Sequence, residues 1–420
     1  MRITIHRGAD RIGGSVTEYE HDGWKLFVDF GEELPGATQS DVPKIDGLTN
    51  GDQSKSALLI THYHGDHLGH LDAIPMDIPV FMGKIGLDIQ RRTSGRLKCM
   101  QQHHSKLLGR LDSVIPFDAG KAFEFGPFTI MPVVVDHSAF DAYAFRIEAG
   151  GSSAFHTGDF RTHGFRGGRL PKVIDKYVGR VDCVVCEATN VVRPEAGVLT
   201  EHELQQEMLG NFKSHKYSVV FLSSTNIDRV FALYHAALKA GRRFLVDRHQ
   251  KNIMDAVVGR DSIWGQSPLY KYEACDPMVL MPDKTNRAEF LVTDKFTDLL
   301  ADKGYVLLAR PTSRFCNLIE RLPDDGDRQS YLSMWRGYVS NPESPAYNPG
   351  LANALGQNWH YRHTSGHCDM QALEKLFEML HPRVVIPIHT DSPKRFAELF
   401  SEKWPVVLMS DGESFKCPLA

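Results

Sequence analysis

The chain has no run of 18 or more apolar residues, which argues against a membrane-spanning helix. Cysteine is sparse: seven in 420 residues do not suggest a disulfide framework. Cys183 and Cys186 form a C-x-x-C in "VDCVVCE" with no second pair to complete a zinc site. That segment reads as a strand, where a spacing of three points the two side chains to opposite faces, so both are expected as small buried residues. Basic residues are not in excess either. Lys and Arg number 48 against 52 Asp and Glu, a net charge of −4, so no global positive field advertises a nucleic-acid partner. A narrow groove holding metal ions can still be locally positive. Internal repeats and low-complexity segments are absent. The opening "MRITIHRGAD" lacks the apolar core of a signal peptide and reads as a first strand. Together these absences favour the cytoplasm and no membrane partner.

What is there is a globular composition, 42% hydrophobic and 24% charged, on a chain too long for one ordinary core. Residues 1–190 alternate short β-type runs with Gly-rich turns, among them "SALLITH", "FTIMPVVV", "SAFHTG" and "DCVVCEA". A helical pattern covers Gly86–Leu97. After Arg193-Pro194 the texture changes: "TEHELQQEMLGNF" opens with a Thr/Glu capping signature, and strands then alternate with helices, as in a parallel βαβ sheet. A helix over Asp369–Leu380, a strand "RVVIPIH", a helix over Ser392–Leu399 and a last strand "VVLMSDG" follow. The expected organisation is an α/β domain over 1–195, an inserted α/β domain over 196–354 and a completing part of the first domain over 355–420.

Chemistry concentrates in "LLITHYHGDHLGH". His62, His64, Asp66 and His67 follow an apolar strand and belong on the loop at its C-terminal end. Imidazole nitrogens and carboxylate oxygens suit zinc and related divalent ions. Residues 62 and 64 can point together while Asp66 and His67 reach a neighbouring point, a basis for two adjacent metals. Other apolar runs end in further donors: His137, Asp159 and His389. A lone strand-end histidine is more often a satisfied structural residue, but the joint occurrence reverses that expectation.

This pattern, His62-x-His64-x-Asp66-His67 with His137, Asp159 and His389 downstream, resembles the signature of the metallo-β-lactamase superfamily. The resemblance implies an αββα sandwich in which His62, His64 and His137 hold one metal and Asp66, His67 and His389 the other. Asp159 would bridge them, and Asp29 in "VDFG" would support the metal loop, with Gly13 and Gly14 as further early-strand elements. His70 lies beyond the motif. Glu187 in "CEATN", His363 and His367 in "HTSGH" and His389 in "IPIHTD" are similar to the later motifs of the β-CASP nucleases, most closely the ribonuclease J family. "DHSAFDA" and "SSTNIDRVFALYHAALKAGRRFLV" extend the similarity over nearly the whole chain, and the inserted domain is then a β-CASP domain. The chain departs from that family in two places. It stops soon after "LMSDGESF", without the family's extra C-terminal domain, and "PTSRF" stands where a Gly-Ser-Gln-Gly-type phosphate loop is usual. Arg310, Ser313 and Arg314 are candidate replacements for the missing donors.

The implied function is metal-dependent hydrolysis of single-stranded RNA. Two divalent ions, zinc first and manganese second, would neutralise phosphoryl oxygens and yield hydroxide near neutral pH. Asp66, Glu187 and His367 form the catalytic set, with His367 as the acid kept protonated by Glu187. His363 and Ser365 would contact a substrate phosphate. Tyr331, Trp335, Arg336 and Tyr338 in "YLSMWRGYVS" are candidates for stacking on the strand between the two domains. The blander reading of that segment, an amphipathic helix with Leu332 and Trp335 inward, is preferred. The basic clusters Arg91, Arg92, Arg96, Lys98 and Arg161, Arg166, Arg169, Lys172 read equally well as solvated surface. Alternatives are a DNA-directed β-CASP nuclease, a small-molecule esterase, thioesterase or lactonase on the same dinuclear site, and a non-catalytic binding protein. Exonuclease or endonuclease action, the 5′-phosphate requirement and a homodimer stay open.

Overall fold

The computed structural model describes residues 1–34, 42–98, 102–193, 198–259, 266–273 and 277–419. It divides into two compact units, 1–198 with 366–420, and 199–365. The first expected boundary, 195/196, lies outside the described residues. The second moves from 354/355 to 365/366 because the strand Trp359–Tyr361 pairs with Gln329–Leu332 of the inserted sheet. That pairing partner is set by tertiary structure and leaves no local mark in the sequence.

The first unit stacks two sheets. One runs β1 (Arg2–Arg7), β2 (Val16–His21), β3 (Trp24–Val28), β4 (Ser56–Ile60), β5 (Val80–Gly83) and β6 (Ile115–Phe117), with β19 (Glu413–Lys416) added beside β1. The other runs from β7 (Phe123–Phe125) through β8 (Phe128–Val135), β9 (Ala142–Ala149), β10 (Ser152–His156) and β11 (Cys183–Glu187) to β18 (Val384–Ile388). The inner faces of both meet in one core that includes Ile3, Tyr19, Val28, Leu59, Ile130, Phe145, Val185 and Ile386. The outer face of the second sheet packs on the helices Leu170–Tyr177, Met370–Leu380 and Pro393–Phe400, through residues such as Ile174, Phe377 and Phe396. The helix Lys84–Leu97 contacts β5 and β6 of the first sheet. This is the expected αββα sandwich, completed by the C-terminal segment.

Cys183 and Cys186 test the face argument directly. Cys183 lies in the core between the sheets and Cys186 in the core beneath the helices, so the C-x-x-C is a pair of buried strand residues on opposite faces. "VVLMSDG" departs from expectation. Its pattern alternates toward the two cores, with Met409 in one and Val406 against the other. Val406 makes only a lone bridge to Val385, and the last ladder forms at 413–416 after the turn at Gly412.

The second unit is built on a six-stranded sheet of β12 (Tyr217–Phe221), β13 (Arg243–Asp247), β14 (Met278–Leu280), β15 (Tyr305–Ala309), β16 (Gln329–Leu332) and β17 (Trp359–Tyr361). Every pair in it is parallel. All five residues of β12 and of β15 are buried, as expected for parallel strands covered on both faces. The preferred helix over "YLSMWRGYVS" does not form. Its first two residues, Tyr331 and Leu332, are buried and end β16, only 337–340 are helical, and Trp335 is 45% exposed. Arg310 and Arg314 are both engaged: Arg310 pairs with Asp247 and lies over Phe315, and Arg314 lies over Phe290 and donates to the Glu289 carbonyl. Ser313 opens the helix Ser313–Arg321. In the first unit, Arg161 and Arg166 are buried rather than solvated.

Candidate metal centre

The site forms where strands of both sheets end. β4 delivers Thr61, His62 and His64; β8 delivers His137; β10, β11 and β18 deliver Asp159, Glu187 and His389. A side chain just past a strand end is fixed by the ladder behind it yet free of the ladder itself. Two of these corners are sharply turned. Asp29 and His389 have φ of 62° and 52°, a region that costs a non-glycine residue about 1–3 kcal/mol. Gly31 lets the chain after β3 press against the metal loop, because a Cβ there would overlap the Asp66 carbonyl oxygen.

Three imidazoles converge on one point. His64 Nδ1 is 3.1 Å from His62 Nε2 and 3.2 Å from His137 Nε2. Nitrogens around a tetrahedral zinc ion stand roughly 3.3 Å apart. A second group gathers Asp66, His67 and His389, with Asp66 Oδ2 3.2 Å from His389 Nε2 and 3.8 Å from His67 Nε2. Asp159 lies between the groups. Its Oδ2 is 3.2 Å from His67 Nε2 and 3.9 Å from the Nε2 atoms of both His62 and His137. The two clusters are therefore compatible with divalent-metal binding.

The far side of most rings is already held, which selects the nitrogen that faces the centre. His67 Nδ1 bonds Asp29 Oδ2 at 2.7 Å, and Asp29 also accepts the Thr61 amide and hydroxyl. His62 Nδ1 meets the Thr61 hydroxyl at 3.0 Å, His137 Nδ1 donates to the Gly366 carbonyl at 2.7 Å, and His389 Nδ1 meets the Thr189 hydroxyl at 2.8 Å. Such outer partners set ring orientation and tautomer at metal sites. His67 Nε2 is buried and makes no hydrogen bond of normal geometry.

Electrostatics agree with a cation at the centre. Burial holds His62 and His137 well below the ordinary histidine range and brings His64 to about 4, leaving neutral rings with lone pairs to offer. Burial also opposes a charge on His67, but Asp159, Asp29 and Asp66 outweigh it and raise that group.

Beside the centre, His367 Nδ1 stands 3.0 Å from Glu187 Oε2. Glu187 Oε1 accepts the Phe160 amide at 2.9 Å, which fixes the carboxylate. Burial works against protonation of His367, but Glu187 and Asp159 outweigh it and raise the group to about 9. Asp159, Glu187, His367 and the Nδ1 side of His389 also lie close enough to form a ligand group. Within that group Glu187 and His367 bond each other, and Thr189 holds His389 Nδ1.

All seven expected ligands thus meet, together with Glu187 and His367. His363 and Ser365 end the second unit, and His70 belongs to neither cluster. Thr61, Thr189 and Asn190 were not singled out in the sequence. Asn190 Nδ2 donates to the carbonyls of His367 and Cys368 at 3.1 and 3.0 Å. Their signal was available: each is a polar residue just past an apolar run, like the ligands themselves.

Residues 39–209 match a family model described as a beta-lactamase superfamily domain, and residues 358–409 one described as a Zn-dependent metallo-hydrolase RNA specificity domain. The sandwich and its strand-end donors agree with these matches: over both segments the chain is similar to the metallo-β-lactamase superfamily. The curated relatives it is similar to are named ribonuclease J. It is 28% identical over 258 residues to the ribonuclease J of Mycobacterium tuberculosis, covering 58% of this chain and 44% of that protein. It is 23% identical over 400 residues to the ribonuclease J of Sinorhizobium meliloti, covering 89% of this chain and 64% of that one. The chain spans about half to two thirds of the length of these relatives. A crystal structure of a protein of unknown function from Enterococcus faecalis V583 shares the fold, with a TM-score of 0.74 at 18% identity over 99% of both chains. Among the described residues no helix is long and apolar enough to cross a membrane.

Proposed function

We propose that this protein is a metal-dependent ribonuclease acting on single-stranded RNA, with two zinc ions as its resident cofactors. The observation that carries the reading is the pairing of two convergent ligand groups with a hydrogen-bonded His367–Glu187 pair beside them. His62, His64 and His137 would hold one ion, Asp66, His67 and His389 the other, and Asp159 would reach both. When bound, the ions supply Lewis acidity at the phosphoryl oxygens and acidify water. The chain's own residues do the rest. Glu187 fixes the Nδ1 side of His367 so that Nε2–H is presented to the leaving oxygen, and the proton passes from Nε2 to that oxygen. Thr189 and Asn190 hold the loops that carry His389 and His367. The second unit is read as a β-CASP domain, with His363 and Ser365 contacting a substrate phosphate. RNA is favoured over DNA by the ribonuclease J relatives and by the RNA specificity domain matched at 358–409.

The test compares end-labelled single-stranded RNA, matching DNA and a small carboxylic ester as substrates of the zinc-loaded protein. The reading expects cleavage of RNA well above the others. Turnover of the ester with both polymers intact would transfer the assignment to small-molecule hydrolysis.

A further inference from the structure

Arg161 and Arg166 lie in a basic cluster that would ordinarily be solvated, yet both are buried and both are committed to one carboxylate. Asp136 Oδ1 accepts Arg161 Nε at 2.9 Å, and neither side chain has any solvent exposure. Asp136 Oδ2 accepts the Arg166 backbone amide at 2.6 Å, while Arg166 Nη2 donates to the His137 carbonyl at 3.3 Å. The Arg166 guanidinium lies 4.8 Å over the Phe140 ring. The backbones join as well, in an antiparallel bridge between Asp136 and Arg161 with the Arg161 amide 2.7 Å from the Asp136 carbonyl. Gly164 completes the enclosure, since a Cβ there would collide with both carboxylate oxygens.

The placement of this network matters more than its strength. Asp136 directly precedes His137, and Arg161 follows Asp159 by two residues. The two ligands come from strands that are not neighbours, β8 and β10, with β9 between them. A buried ion pair is a poor source of net stability, because desolvation offsets its Coulomb gain. Its directional bonds nevertheless fix one segment against another. We propose that Asp136, Arg161 and Arg166 form a positioning clamp that sets the separation of His137 and Asp159, and through it the affinity of the centre for its divalent ions. The separation so held is 3.9 Å between His137 Nε2 and Asp159 Oδ2. A well-formed metal site keeps its metal–ligand distances within about 0.2 Å of their ideal values. The inference rests on the metal-centre reading above.

The experiment measures zinc affinity by chelator competition on metal-stripped protein, alongside thermal unfolding of the same samples. Two variants approach the clamp from different sides. Gly164→Ala displaces the carboxylate without removing a charge. The double variant Asp136→Leu/Arg161→Met removes both charges and fills the space. A positioning role predicts that both fold cooperatively and that zinc binding weakens about 10- to 100-fold, the usual effect of losing outer support at a metal site. A merely structural role predicts that the double variant regains zinc affinity together with stability. Wild-type zinc affinity in either folded variant overturns the clamp, and should the double variant not fold, Gly164→Ala decides alone. If the unsubstituted protein takes up no zinc, the metal-centre reading fails first and the clamp with it.

Discussion

At the scale of the residue, the centre depends on side chains whose outer atoms are already tied, so each tie can be tested apart from the ligand it serves. Asp29 holds His67 and Thr61 with one buried carboxylate. Asp29→Ala should weaken zinc binding about 10- to 100-fold with the seven ligands unchanged, read by chelator competition; unchanged affinity would show that His67 is oriented without it. In the proposed function His367 has a different role. Its bond to Glu187 and its raised protonation fit an acid, and the ligand groups at 62–67 and 137 do not need it. His367→Ala should lower turnover about 100- to 10,000-fold while metal content stays at the wild-type level. Loss of zinc from that variant would instead make His367 a ligand.

At the scale of the element, what could be read from the sequence was whatever a strand does to its own residues. The cluster at 62–67 is local, and His137, Asp159 and His389 each follow an apolar run, so they were legible as candidates jointly with that cluster rather than from run ends alone. The opposite facing of Cys183 and Cys186 followed from the two-residue period of a strand. What was not legible depended on partners far away in the chain. β17 joins the second unit because β16 lies beside it, and 406–409 form no strand because only Val385 offers a bridge. The Asp136 network was hidden for the same reason, since nothing in "VDHSAF" announces an arginine 25 residues on. The ladders themselves carry the centre. Ile386 of β18 is fully buried in the core between the sheets, three residues before His389. Ile386→Ala should cost about 2–5 kcal/mol of stability, measured by denaturant unfolding of the metal-free protein. A negligible cost would mean that the sandwich repacks around the gap and does not hold that strand end rigidly.

At the scale of the whole molecule, the first unit gathers its site from both ends of the chain: His62 to Glu187 from one side of the inserted unit, His367 and His389 from the other. The pairing of β18 with β11 brings His389 to the strand ends that carry Asp159 and Glu187. The measurement that bears most directly on the account is RNA cleavage by metal-stripped protein as zinc is added back, in parallel for the unsubstituted chain and Asp66→Asn. Bound zinc is counted in the same samples. The account predicts that cleavage returns with two zinc ions per chain. In Asp66→Asn one ion should be lost and cleavage abolished. Full cleavage by stripped protein, or by Asp66→Asn with both ions in place, would contradict it.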